Sequence, residues 1–301
     1  GDGNGQLQDV TNQAFSGGNS GIAGVTATDY TDFLAAAEGQ LFSHLALDGV
    51  TDPAIHAAVK EWVARVRTEG KGVQAVLGGS AADDTAADAV NKAIARSASF
   101  DHEGVINVGV GAVKDGVTYS SAQVAAYVAG LESSRALNEA TTFAVTPFDD
   151  VTRRWTRAEQ EEAIKNGVFL LIHDGRRVKV LRGINTLTTV REGQNEAWKK
   201  TKTIRVIDAI AEDLTRTTED SYIGKVPNTE EGRLALIGAY KAYLETLAAS
   251  SVIDPVFNVY PDPDYHGPDA PNTPQPDEVY IRWEIKLVDV MEKIFGTVIV
   301  R

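Results

Sequence analysis

The chain has no cysteine and a single methionine, Met291. Without thiols it can form no disulfide, thiolate nucleophile or cysteine-based zinc site, which fits a cytoplasmic origin and excludes a small disulfide-stapled scaffold. No stretch approaches the ~20 consecutive apolar residues of a membrane span, and no basic segment leads into an apolar run as a secretory leader does. A soluble protein without membrane insertion is expected. Positive charge is also in short supply: 29 Lys and Arg against 42 Asp and Glu leave a formal charge of -13. That balance disfavours broad contact with nucleic acid or anionic lipid, and says little about fold. The chain opens on Gly-Asp-Gly-Asn-Gly with no initiating methionine, so an N-terminal truncation is expected.

What is present is ordinary globular material: 301 residues, 43% of them hydrophobic, enough for one large domain or two. Residues 1 to 24 read as loop. Asp2, Asn4 and Gln6 faintly resemble a calcium loop, but Leu7 stands where the turn needs glycine and Gln13 replaces the closing glutamate, so no calcium site is expected. A helix is expected over Asp29–Glu38. Asp52 caps a second with Pro53 at its first position, running to about Arg67. Val73–Leu77 reads as a strand, Asp83–Arg96 as a helix and Val105–Val113 as another strand. Ser121 caps a helix through Leu131, Thr141–Val145 is strand-like, and Thr156 with Glu159 forms a capping box. Val168–Ile172 and Arg177–Leu181 flank an Asp-Gly turn and predict a β-hairpin.

The pattern changes after Gly193. One long helix is predicted from Asn195 to about Thr217 and a second over Glu230–Ala249. Asp254–Glu278 holds seven of the ten prolines, six acidic residues and no Lys or Arg, the composition of an exposed arm. Two apolar runs close the chain. Val279–Leu287 alternates Val279, Ile281, Trp283, Ile285 and Leu287 with polar residues, the period of a half-buried strand, and Gly296–Arg301 is β-branched. The expected fold class is therefore an α/β layer domain over residues 1–193, joined to a smaller α+β domain over 194–301 with two long helices and terminal strands.

A terminal strand must pair internally or offer its edge to another chain. That choice separates a monomeric enzyme from an assembly subunit; if the chain is an assembly subunit, Val279–Leu287 is expected to be internal core, and Gly296, Thr297, Val298, Ile299, Val300 and Arg301 to form the strand joining a second subunit.

Catalytic patterns are missing. None of His44, His56, His102, His173 and His266 lies in a Gly-x-Ser-x-Gly elbow, a zinc helix or a spaced ligand set. An α/β hydrolase using His102, beside Asp101 with Ser97 or Ser99 as nucleophile, or using His173, is the alternative to carry forward. Gly109-Val-Gly111 lacks the third glycine of a dinucleotide turn, since residue 114 is lysine. Asp83-Asp84 and Glu161-Glu162 read as solvated helix starts. The basic runs Arg176-Arg177-Lys179-Arg182 and Trp198-Lys199-Lys200 with Lys202 and Arg205 read as a solvated face or, in a functional role, as complementary contacts between identical subunits.

Several short stretches in order resemble the contractile tail sheath proteins of tailed phages and phage-tail-like particles: Gly24-Val-Thr-Ala-x-Asp29-Tyr, Thr51-Asp-Pro with Trp62, Arg182-Gly-Ile-Asn-Thr-Leu-Thr ahead of a Lys-rich helix, and Ile285–Val300. The resemblance implies a subtilisin-like α/β domain without its protease site, and a C-terminal domain that faces a tail tube and carries an inter-subunit mesh. It implies a structural subunit with no enzymatic activity and no cofactor. The subunit would form a helical homo-polymer of hexameric discs around the tail tube protein, with baseplate and tail terminator proteins as further partners. It would be assembled in the host cytoplasm and contract to drive the tube through a cell envelope. The sheath of a bacterial pyocin-like or secretion machine is the variant of the same reading.

Overall fold

The computed structural model describes residues 25–47 and 49–299; the calcium-like stretch at Asp2–Gln13 lies outside the described residues. The chain divides after Gly39 into two compact units. The described part of the first is helix α1 (Ala27–Ala37), whose start is a capping box: the Thr26 backbone N–H and hydroxyl both donate to Asp29.

The second unit begins with β1 (His44–Ala46), α2 (Pro53–Thr68), β2 (Gln74–Gly78), α3 (Ala81–Thr85), α4 (Ala89–Phe100) and β3 (Val105–Val108). It continues through β4 (Ala112–Lys114), β5 (Val117–Tyr119), α5 (Ser121–Ser133), β6 (Asp150–Val151), α6 (Arg157–Lys165), β7 (Val168–Phe169), β8 (Leu171–His173) and β9 (Val178–Val180). A 3-10 turn at Glu196–Lys199 leads into α7 (Thr201–Ser221), α8 (Glu230–Ala249), β10 (Asn258–Pro261) and β11 (Ile281–Glu284).

Strands β1, β2, β3 and β7 form one parallel sheet in that order. β2 and β3 are buried along their whole length, as expected of strands covered on both faces. Helix α5 lies so close to the sheet that a Cβ on Gly78 would come within 2.3 Å of the Ser121 carbonyl oxygen. The main core gathers Val76, Ile106 and Val108 from the sheet, Val124 and Val128 from α5, and Phe169, Leu171 and Val180 beyond it. A second core lies between α7 and α8, from Ile210 and Leu214 to Tyr240 and Leu244, and extends to Val259 of β10.

Several predicted elements appear with altered bounds, each for a local reason. The strand predicted over Val105–Val113 is two strands, because at Gly109-Val-Gly111 the chain leaves the parallel sheet for the antiparallel β5-β4-β6 sheet. Any side chain at Gly111 would strike the Tyr119 carbonyl, 2.3 Å from the Cβ position. The run Val168–Ile172 is shared likewise: Val168 and Phe169 pair with β3, while only Leu171–His173 joins the hairpin with β9. Asp174 Oδ1 accepts from Arg176 and Arg177 N–H in that turn, and Gly175 takes φ +95°. Thr141–Val145 is not a strand but an isolated bridge at Val145, with Phe143 at φ +58°. The helix predicted over Asp83–Arg96 is broken between α3 and α4, and Ser120, not Ser121, caps α5. The long helix predicted from Asn195 begins as a 3-10 turn because Lys200 bridges Ile184 and Asn185 N donates to the Lys199 carbonyl.

The His44 ring in β1 packs with Nε2 buried and without a partner among the described residues. Burial, helped by the nearby Arg205 charge, pushes it down to about 4. A histidine held neutral contributes stability that is complete above its unfolded value of about 6.5 and is lost as pH falls toward the folded value. Lowering pH from 6.5 to 5 is expected to remove roughly 2 kcal/mol through this residue. Urea unfolding of His44→Gln should show a flatter slope over that range; a slope equal to the parent's would refute the assignment.

Candidate assembly surface

The five histidines do not build a reaction centre. His102 is buried, and its Nδ1 accepts from Gly104 N–H at 2.9 Å. Its ring proton is therefore on Nε2, 4.0 Å from Glu103 Oε1. Burial holds it below the ordinary histidine value, against the neighbouring Glu103 carboxylate. Neither expected nucleophile faces it: Ser97 Oγ donates to the Gly167 carbonyl at 2.6 Å and Ser99 Oγ to the Arg96 carbonyl at 2.7 Å. His173 Nδ1 accepts from Gly175 N–H inside the hairpin turn. His56 donates to the Val50 carbonyl from a buried position in α2.

One expected surface carboxylate is internal. Asp84 accepts from Ser121 N–H at 2.6 Å and from its hydroxyl at 2.7 Å, and burial pushes it up to about 6. No histidine completes that pair. Among the described residues no group of three His, Asp or Glu is placed to hold a metal ion, and no helix is long and apolar enough to cross a membrane.

The basic runs are the main correction to the sequence reading. Most of these charges are engaged within the chain: Lys179 with Asp174, Lys199 with Glu196, Arg182 with Glu292, and Lys200 with Asp289 and Glu292. Arg205 is buried against Glu132, which also accepts from the Thr141 and Thr201 hydroxyls at 2.6 and 3.0 Å. Arg67 forms a bidentate pair with Asp208, both bonds 2.8 Å. Only Arg176 and Arg177 of the first run carry no ion pair among the described residues. Sequence spacing does not reveal the long-range pairs: Arg182 and Glu292 are 110 positions apart, and Lys200 and Asp289 are 89.

The Arg182–Thr188 stretch is a joint between sheet and helix. Thr186 N–H donates to the Val105 carbonyl at 2.8 Å, Asn185 Nδ2 to the Trp198 carbonyl at 2.7 Å, and Asp101 Oδ1 accepts from Thr188 N–H at 2.6 Å. It thus ties β3 and the end of α4 to the entry of α7.

β10 and β11 pair antiparallel, and neither pairs with a third strand among the described residues. β11 realises part of the predicted Val279–Leu287 strand. Its Trp283 packs edge-on against Tyr240 but remains 39% exposed, so it is a surface residue and not core. The proline-rich arm is pinned more than its composition suggested: Tyr265 stacks on Tyr280 at 3.6 Å, and Arg282 pairs with Asp262 and Asp264.

Beyond Val288 the described chain, to Ile299, forms no strand and pairs with no other strand. Gly296, Thr297, Val298 and Ile299 are exposed and make no ladder, while Val300 and Arg301 lie outside the described residues. Met291, Ile294, Phe295, Val298 and Ile299 are 78 to 92% exposed. An apolar segment of this kind with free backbone groups, on the same chain as a two-stranded sheet with open edges, is the arrangement strand addition requires.

The profile described as "Phage tail sheath protein central domain" matches residues 23–186, and "Phage tail sheath C-terminal domain" matches 193–301. The chain is 30% identical over 231 residues to the phage-like element PBSX protein XkdK of Bacillus subtilis, covering 73% of this chain and 46% of that protein. It is 29% identical over 170 residues to the tail sheath protein of Clostridium phage phiCD119, covering 56% and 47%. The crystal structure of a sheath tail protein from Desulfitobacterium hafniense superposes with a TM-score of 0.73 at 31% identity, over 90% of this chain and 59% of that one. The chain thus spans less than half the length of the curated relatives it matches.

Proposed function

Because this chain belongs to the phage tail sheath protein family, we propose that it is a structural subunit that polymerises helically, in six-fold discs, around a tail tube and contracts to drive that tube through a cell envelope. Its partners on this reading are further copies of itself, the tube protein, and the baseplate and terminator proteins at the two ends of the tail. It is assembled in the host cytoplasm and acts in the tail. It carries no enzymatic activity and needs no cofactor. Residues 1–193 are the subtilisin-like layer domain and 194–301 the assembly domain.

The observation that carries the reading is the exposed apolar tail beyond Glu292. A contracting sheath must rotate each subunit between two sets of lateral contacts while neighbours stay connected. Backbone pairing meets that need, since its hydrogen bonds persist while polar surface pairs break and re-form. Residues Gly296–Arg301 are the proposed exchanged strand, and the open edges of β10 and β11 are the acceptor in the next subunit.

Electron microscopy of the protein expressed from its complete gene is expected to show tubes or sheath-like polymers. Their absence at every salt concentration, with no particle containing the protein, would sink the proposal. The likeness to a protein of a phage-like element favours keeping a phage-tail-like particle beside an infective phage; neighbouring capsid genes separate the two.

A further inference from the structure

The tail is held before it becomes free, and the hold changes character along its length. Lys286 O accepts from Asp254 N–H at 2.7 Å, Leu287 bridges Ile253, and Val288 N–H donates to the Val252 carbonyl at 3.0 Å. From there charge replaces backbone pairing. Lys202 Nζ donates to the Val288 carbonyl and Lys200 Nζ pairs with Asp289.

Among the described residues Glu292 makes the last attachment. Its Oε1 accepts from the Thr142 hydroxyl at 2.6 Å; its Oε2 accepts from Arg182 Nη2 at 2.7 Å and lies 2.9 Å from Lys200 Nζ. Gly183 N–H donates to the Thr142 oxygen at 3.0 Å, leaving its hydroxyl proton for the carboxylate. The Glu292 side chain is only 6% exposed, whereas Phe295 three residues on is 92% exposed.

Resting on the assembly reading above, we propose that Glu292 is an ionic pin dividing the tail into a strap kept by its own chain, Leu287–Glu292, and a shorter exchange segment that begins at Lys293. The pin, not the whole tail, sets how far an exchanged strand can reach. Lys293–Arg301 spans at most about 30 Å when extended, against about 50 Å if the chain were free from Leu287. That difference decides which neighbours are within range.

The charges support a firm hold. Arg182, Lys200 and Lys202 converge on this stretch, and without Glu292 only Asp289 would offset them, leaving like charges crowded together. Burial alone would raise the Glu292 carboxyl, but the bonds from Thr142, Lys200 and Arg182 outweigh it and hold the group below the usual glutamate value.

The absence of cysteine allows a clean test in the isolated chain. Nitroxide labels are placed singly by Met291→Cys and Ile299→Cys, both at exposed side chains. The label at 291 is expected to move several-fold more slowly than the one at 299. Glu292→Gln and, separately, Lys200→Met should speed the 291 label by roughly threefold while leaving the 299 label unchanged, with near-ultraviolet dichroism retained as the check on folding. A 291 label as mobile as the 299 label in the parent, or one that neither substitution releases, would overturn the pin. Because the measurement needs no polymer, that outcome leaves the sheath reading intact, and a failure to polymerise leaves the pin intact.

Discussion

Methionine in place of Arg205 is expected to lower the unfolding free energy by about 3 to 5 kcal/mol, the cost of breaking a buried ion pair from one side. Arg205 pairs with Glu132 at 3.3 Å, with side-chain exposures of 8% and 1%. Its guanidinium also donates to the backbone carbonyls of Glu132, Ala136 and Glu139. The thioether chain would fill much of the volume while leaving those acceptors and a wholly buried carboxylate behind. Burial already pushes Glu132 upward, against the hydroxyls of Thr141 and Thr201 and the Arg205 charge. Glu132→Gln should cost distinctly less, because the amide oxygen still accepts from both hydroxyls and the arginine keeps its carbonyls. Thermal unfolding reads the difference as a fall of about 10 °C for Arg205→Met. A loss below about 1 kcal/mol would place the pair among solvent-screened surface bridges and refute the argument.

Deleting Thr297–Arg301 is expected to abolish polymer formation while leaving the subunit folded. Residues 297–299 add nothing to either apolar core and form no ladder, so the melting temperature should stay within about 1 °C of the parent. Assembly should be lost entirely, because strand addition needs both the backbone groups and the alternate apolar side chains that seat them. Ile299→Asp in the full-length protein is the graded version: it keeps the backbone and buries a charge in any exchanged strand, so polymer yield should fall steeply. Normal tubes from the deletion variant would remove this segment from the assembly.

Local signals carried much of the fold. Asp52-Pro53 marks the start of α2, Thr156 and Glu159 cap α6 reciprocally, and α8 runs over Glu230–Ala249 as its apolar spacing required. These features are complete within a few residues, and so is the Asp-Gly turn of the hairpin. The misread elements depend on distant partners. Nothing in Val168–Ile172 says that its first two residues pair with β3 and its last two with β9. The helix expected from Asn195 yields at Lys200 to pairing with Ile184, and Lys202 and Arg205 look like solvated charges until Val288 and Glu132 are brought to them. Sequence pattern marked the tail as apolar, and it is exposed, but did not mark its point of attachment at Glu292, whose partners Thr142, Arg182 and Lys200 lie on three separate stretches.

Arg205 and Asp208 stand three positions apart on α7, and both reach partners in the preceding part of the chain, Glu132 at the end of α5 and Arg67 at the end of α2. A rod bolted at one point can roll or pivot; one bolted at two points, close to one face and about a turn apart, can do neither. Their polarity is also opposed, arginine on the helix at one bolt and aspartate at the other, so a register slip of α7 would bring like charges together instead of finding a second fit. The two pairs therefore fasten α7 to α5 and α2 at separate points, which is what a subunit needs if those helices are to turn as one piece.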